Sequence, residues 1–176
     1  MKAFITSIGE KTTKICCEQL SKFGFEIILL DEIEPWINKY KKFINMANED
    51  CLRVDADIIV NEQIKLIGLE KSESWMRQYT TYDLYQNRLK SSSPVFYKKE
   101  AIELIRKHLN TLNSNRPETA ASRLKGMPQI LTSDLVVGMH GFFQDEEAVK
   151  RAKANKINRK QIQNYDFDLT FKIINL

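Results

Sequence analysis

Glycine is scarce in this chain, six in 176 residues, and no glycine-rich dinucleotide fingerprint follows the first apolar run, where Gly9 stands alone. Cysteine is scarcer still. Cys16, Cys17 and Cys51 contain no Cys-x-x-Cys pair, which removes the usual zinc spacing. Adjacent Cys16 and Cys17 are poorly placed to bridge each other, and an odd set of thiols on apolar positions points to a reducing, cytoplasmic setting. No apolar run approaches the ~20 residues of a membrane-spanning helix. The apolar part of the first ten residues is too short for a signal peptide. Repeats, linkers and low-complexity stretches are missing too, so a single domain, 1–176, is expected.

Basic charge is missing from most of the chain. The net charge is +4, yet Lys150, Arg151, Lys153, Lys156, Arg159 and Lys160 alone supply +6 (leaving +4 − 6 = −2 for the rest). The run 150–160 has no interleaved aromatics, so no nucleic-acid partner is expected. It lies in a basic helical region at about 144–163 and reads as a solvated face. The other reading is a peripheral contact with anionic lipid headgroups or a phosphorylated acceptor.

What the chain does have is alternation. Residues 2–8 read as a strand ending at Gly9, 12–23 as a helix with Cys16, Leu20 and Phe23 on its stripe, and 25–31 as a nearly all-apolar strand. Residues 35–48 carry Trp36, Ile37, Tyr40, Phe43, Ile44 and Ala47 at helical spacing behind Pro35, and 51–60 read as a third strand. This β-α-β-α-β order predicts an α/β fold, a doubly wound and mainly parallel sheet. Further on, the sequence suggests a short helix at 61–71 and a strand or loop at 75–85. The aromatics of that stretch, Trp75, Tyr79, Tyr82 and Tyr85, suit core packing or the stacking of a sugar or base. A turn at 91–94, a short strand at 95–97, helices at 99–112 and 118–124, and a strand at 129–139 follow. A polar helix at 144–163 and a closing strand at 167–174 complete the reading.

Asp55 and Asp57 interrupt the third strand. Residues two apart on a strand point the same way, about 6–7 Å apart, and a turn between them brings them closer. Two hard oxygen ligands at a strand end suit a divalent cation with a phosphate. The plainer reading is a pair of turn acids facing solvent or capping the next helix. Asp166-Phe-Asp168 repeats the spacing in a polar tail, so context must decide. In doubly wound sheets ligands bind outside the carboxyl ends of the strands, which here carry Thr6-Ser7-Ile8-Gly9, Asp31 and Asp55–Asp57.

With Phe4-Ile-Thr-Ser-Ile-Gly9, Ile28-Leu-Leu-Asp31, Leu52-Arg-Val-Asp-Ala-Asp57, Arg116-Pro-Glu-Thr119 and Val136-Val-Gly-Met-His140, the chain resembles the GT-A-type nucleotide-sugar glycosyltransferases up to about residue 144. That resemblance implies a small version of their Rossmann-like fold. It implies a donor linked to UDP or GDP and held by Thr6, Ser7, Ile8, Asp31, Arg53 and Asp55, with Asp31 accepting from the base. It implies Mn2+ or Mg2+ on Asp55, Asp57 and His140. It makes Glu118 the base for the hydroxyl of an acceptor such as a glycan or glycolipid. The chain is short for this family, and only 24 residues separate Asp31 from Asp55, where the family usually has a further helix and strand.

Plainer roles remain for each residue. Asp31 suits a cap before Pro35, Glu118 an ordinary first-turn helix acid, and His140 a histidine bonded to a backbone carbonyl. Two other readings compete with the transferase: a nucleotide- or sugar-binding module without turnover, and a metal-dependent phosphohydrolase. The phosphohydrolase reading expects its acid pair after the first strand, not the third.

Overall fold

Both faces of the first strand are buried, and this fixes the layering. In the computed structural model, which describes residues 1–31, 35–70, 73–112 and 116–142, β1 (Lys2–Thr6) turns Ala3 and Ile5 to one side and Phe4 to the other. Ala3 and Ile5 meet Cys16 and Leu20 of α1 (Thr13–Lys22). Phe4 meets Phe43 of α2 (Trp36–Met46), ring centroids 5.0 Å apart. Residues of α3 (Lys99–Lys107) and α4 (Pro117–Ala121) join Phe43 on that second face. A strand without a solvent face reads as an apolar run, as the sequence has it.

Among the described residues the sheet has seven strands, in the order β2-β1-β3-β6-β5-β7-β4. β2 (Glu26–Leu30) and β3 (Cys51–Asp55) flank β1 in parallel, with Thr6 opposite both Leu30 and Asp55. β6 (Arg88–Tyr97) runs antiparallel to β3 and to β5 (Met76–Asp83), β7 (Leu131–His140) parallel to β5, and β4 (Ile58–Val60) antiparallel to β7. Five strands (β1, β2, β3, β5 and β7) therefore point one way and two the other. The expected doubly wound, mainly parallel α/β sheet is present.

Three readings of the sequence need correction. The stretch 51–60 is two strands: β3 ends at Asp55, the chain turns at Ala56-Asp57, and β4 pairs at the opposite edge of the sheet. Only three steps along the chain separate Asp55 from Ile58, at most ~11 Å. The far edge must therefore curl back to the carboxyl end of β3, and Asp57 sits at that seam. Residues 91–94 are no turn but the middle of β6. Pro94 is tolerated because β3 pairs with β6 only from Val95 onward, and the β5–β6 register shifts between Gln78 and Thr80. The short helix at 61–71 is one 3-10 segment, Glu62–Leu66, opened by the Asn61 side chain accepting from Gln63 N–H.

Elsewhere the stretch 75–85 contains the strand Met76–Asp83, with Tyr79 fully buried in the core. The helix expected at 99–112 ends at Lys107, and a 3-10 turn, Leu109–Thr111, follows. Cys16 and Cys51 are buried free thiols. The regions expected at 144–163 and 167–174, with the basic run 150–160, lie outside the described residues. Among the described residues no helix is long and apolar enough to cross a membrane.

Candidate functional site

The carboxyl ends of β1 and β3 and the seam strand β4 converge on one cleft. Thr6 and Asp55 are register partners, and the Thr6 hydroxyl donates to Asp55 Oδ1 at 3.0 Å. Alternation along β3 puts Arg53 and Asp55 on the same face, and Arg53 Nη1 donates to the same oxygen at 2.8 Å. Burial works against the Asp55 charge. The Arg53 guanidinium and the Thr6 hydroxyl outweigh it and hold the carboxyl below its ordinary range. Arg53 is buried, and its guanidinium also lies over the Trp36 ring, 5.2 Å from the centroid. Trp36 in turn donates its indole N–H to Glu118 Oε2 at 2.7 Å. A continuous line of contacts thus runs from Thr6 through Asp55, Arg53 and Trp36 to Glu118.

Asp57 is placed by the turn. The Thr12 hydroxyl, at the start of α1, donates to the Ala56 carbonyl at 2.7 Å. Gly141 N–H donates to the Asp57 carbonyl at 3.0 Å. Pairing of β4 with β7 sets His140 opposite Ile58, next to Asp57. His140 Nε2 and Asp57 Oδ2 are 3.0 Å apart, and Asp83 Oδ2, fully buried, lies 3.6 Å from His140 Nδ1. Burial disfavours the imidazolium. The Asp57 carboxylate outweighs that, with Asp83 behind, and pushes the His140 pKa up to about 10. Both flanking glycines have a steric reason. A Cβ on Gly138 would stand 2.3 Å from the Ile59 carbonyl oxygen, and one on Gly141 (φ +91°) 2.8 Å from the Tyr85 ring.

Two cavities open on this line. One, about 210 Å3, is lined by Thr6, Ile8, Glu10, Lys39, Asp57 and His140. The other, about 530 Å3, is lined among others by Gln78, Ser91, Ser92, Glu118, Thr119 and Ser122. Trp36 and Asp55 belong to both and form the wall between them.

The structure therefore brings Thr6, Ile8, Asp55, Asp57 and His140 to one cavity, and Arg53, Asp55 and Glu118 to the other. Buried Ser7 lies just behind the first, holding Glu10. Asp31 is exposed at the end of β2 and lines neither cavity.

Sequence reasoning passed over Trp36 and Lys39 as site residues. Lys39, 3% exposed, lies within the apolar arc of α2, three residues after Trp36 and four before Phe43. A lysine on a buried arc was the available signal. The role of Trp36 had none, because an aromatic residue on a helix stripe reads as core.

Among the described residues no three His, Cys, Asp or Glu side chains form a ready-made metal cage. The donors present fit a different kind of site. Asp57 and His140 already stand at the roughly 3 Å separation of two ligands on one ion. His140 Nδ1, buried without a hydrogen bond, faces Asp83 in the manner of a carboxylate that orients a ligating imidazole. One or two protein carboxylates suffice where phosphates and water complete the shell of a magnesium-like cation.

No protein-family model matches the chain, and no curated protein does. Solved structures do. A glycosyltransferase involved in the glycosylation of the major capsid of PBCV-1 is 14% identical, with a TM-score of 0.54 over 87% of this chain and 100% of that one. The 4-diphosphocytidyl-2C-methyl-D-erythritol synthase of Anaerococcus prevotii is 11% identical, with a TM-score of 0.55 over 90% and 96%. A hypothetical transferase from Thermus thermophilus is 12% identical, with a TM-score of 0.51 over 84% and 99%. At these identities the likeness is one of fold.

Proposed function

We propose that the chain is a metal-dependent glycosyltransferase, moving a sugar from a nucleoside-diphosphate sugar to an acceptor hydroxyl. The observation that carries this is the pair of cavities sharing Asp55 and Trp36 as a common wall, with the paired acid and imidazole of Asp57 and His140 in one and the Glu118 carboxylate in the other. The donor diphosphate occupies the smaller cavity, against Thr6, Ser7 and Ile8, and Arg53 acts on it through Asp55, the carboxylate it holds in the shared wall. Asp57 and His140, with Asp55 beside them, would hold Mn2+ or Mg2+. When bound, such a cation neutralises charge on the departing diphosphate. Asp31, exposed beyond the cavity, reaches the base only if the base extends along the end of β2.

Glu118 acts from the acceptor side. Trp36 engages Oε2 and leaves the other oxygen to take the proton of an acceptor hydroxyl. Gln78, Ser91, Ser92, Thr119 and Ser122 offer hydrogen bonds suited to a polyhydroxylated acceptor, such as a glycan or the headgroup of a glycolipid. The run 150–160 would meet the membrane surface if the acceptor is lipid-linked.

The likeness to a diphosphocytidyl-methylerythritol synthase favours a second reading, nucleotidyl transfer to a phosphate nucleophile. Glu118 weighs against it. A phosphate is already anionic, needs no base and is repelled by a carboxylate, whereas a neutral hydroxyl gains from one. The test is a paired assay of the full chain with manganese. Nucleotide sugars plus saccharide acceptors are compared with nucleoside triphosphates plus sugar phosphates. Release of nucleoside diphosphate in the first supports glycosyl transfer, and release of pyrophosphate in the second alone replaces it. Metal-dependent binding with no turnover in either leaves a binding module.

A further inference from the structure

The loop between β1 and α1 carries an anion of its own. Glu10 turns its carboxylate back over the residues before it, where Oε2 accepts from the Ser7 hydroxyl and from Ile8 N–H, each at 2.7 Å. Gly9 N–H donates to Ser7 Oγ at 3.0 Å, and the Thr13 hydroxyl lies 2.8 Å from the same atom. The Gly9 N–H satisfies Ser7 Oγ as an acceptor, and the Ser7 hydroxyl proton is directed to Glu10. A hydroxyl and a backbone N–H converging on one oxygen form an oxyanion position. Half-buried Glu10 fills that position and lines the 210 Å3 cavity.

Lys39 lines the same cavity. Its ammonium donates to the Ser7 carbonyl, and among the described residues no carboxylate pairs with it. Asp55 is committed to Arg53, and Asp57 to His140. A buried ammonium without a counter-anion is costly. So, among the described residues, the cavity holds a cation without a paired carboxylate beside an oxyanion position occupied by the chain itself. Ser7 joins the two, its hydroxyl holding Glu10 and its carbonyl holding Lys39.

We propose that Glu10 is the internal occupant of a phosphate position. A phosphate-bearing ligand displaces the Glu10 carboxylate from the Ser7 hydroxyl and Ile8 N–H, and Lys39 becomes its counter-charge. The inference rests on the reading of this cavity as the donor's diphosphate site, and adds to it a gate set by the chain. An anion with no more charge than a carboxylate gains nothing by the exchange. A phosphate, with greater charge and more acceptor oxygens, wins it. No covalent bond changes.

The test is calorimetric titration of inorganic pyrophosphate into the full chain, with chelator present so that no divalent cation contributes. Wild type, Glu10→Gln, Glu10→Asp and Lys39→Met are compared, with melting temperatures as the check on folding. Glu10→Gln is expected to tighten binding about tenfold, the scale of one lost charge-assisted hydrogen bond. Glu10→Asp keeps the charge but withdraws the carboxylate by one methylene, and should tighten binding too. Lys39→Met should weaken it by about tenfold or more without lowering the melting temperature, since Met fills the volume of a buried lysine. Binding no tighter in Glu10→Gln, an unchanged Glu10→Asp, or no pyrophosphate binding in any variant overturns the inference. Lys39-dependent pyrophosphate binding without transfer from any nucleotide sugar would retire the proposed activity and leave this site standing. Transfer activity with an inert Glu10 would do the reverse.

Discussion

Asp57 and His140, 83 positions apart in the chain, stand 3.0 Å apart because the sheet curls its far edge back onto the end of β3. Neither residue is held by its own element alone. The turn after Asp55 sends the chain to β7, and the β4–β7 pairing delivers the histidine.

Asp57→Asn is expected to abolish manganese-dependent nucleotide binding, measured by calorimetry, while leaving the circular dichroism spectrum unchanged. It removes a ligand charge at nearly constant volume. Asp166→Asn, in the second copy of the spacing, should have no comparable effect. Equal binding by both variants would remove Asp57 from the site.

His140 should give the metal-free protein a distinctive pH dependence. Its folded pKa, about 10, lies above the ordinary 6.5. The stability its charge contributes is therefore fully present below about pH 6.5 and lost as pH rises through about 10. The difference in unfolding free energy between wild type and His140→Asn should shrink over that window. Manganese affinity should rise over the same window, because the ligating nitrogen must first give up its proton. A difference independent of pH would contradict the Asp57–His140–Asp83 arrangement.

Gly138→Ala should destabilise the fold by roughly 1–3 kcal/mol, the cost of forcing atoms into a packed contact. It should also weaken manganese binding, because a methyl 2.3 Å from the Ile59 carbonyl pushes β4 away from β7 and Asp57 away from His140. Chemical denaturation and calorimetry measure the two effects. An unchanged metal affinity would separate the glycine from the site.

The first half of the fold was legible because a parallel strand buried on both faces announces itself as an apolar run, as at 2–6, and the edge strand 26–30 is apolar as well although Leu29 is exposed. The break at Ala56 was not. Val54, Ile58, Ile59 and Val60 satisfy a strand pattern whether or not the chain turns between them, and what makes it turn is the distant β7. For the same reason the sequence leaves Asp55 and Asp57 either on one strand face or at a turn, and the structure has the turn, at Ala56-Asp57. Pro94 looked like a turn because its lack of an N–H matters only where a neighbour demands one, and β3 and β5 do not. Glu118 could be read from Pro117 and the short helix behind it. Its link to Trp36, 82 positions away, is a tertiary contact with no local signature.

Glu118→Gln should lower kcat by roughly 10²–10⁴-fold, the span of general base catalysis, with donor affinity unchanged. Trp36→Phe keeps the ring over Arg53 but removes the N–H that holds Glu118. It should lower kcat by about 10–100-fold and shift the pH profile of kcat, while an isosteric change elsewhere on α2 shifts neither. Wild-type kinetics in Glu118→Gln would remove it as the base.

The central claim is that the cleft holds a nucleoside-diphosphate sugar with a divalent cation. The direct measurement is a thermal-shift series of UDP- and GDP-linked sugars and the free diphosphates, each with manganese, magnesium or chelator. A donor at about a hundred times its dissociation constant should stabilise the chain by about 2.7 kcal/mol in manganese, with most of the shift lost in chelator. No shift with any nucleotide sugar, or shifts of equal size with and without the cation, would contradict it.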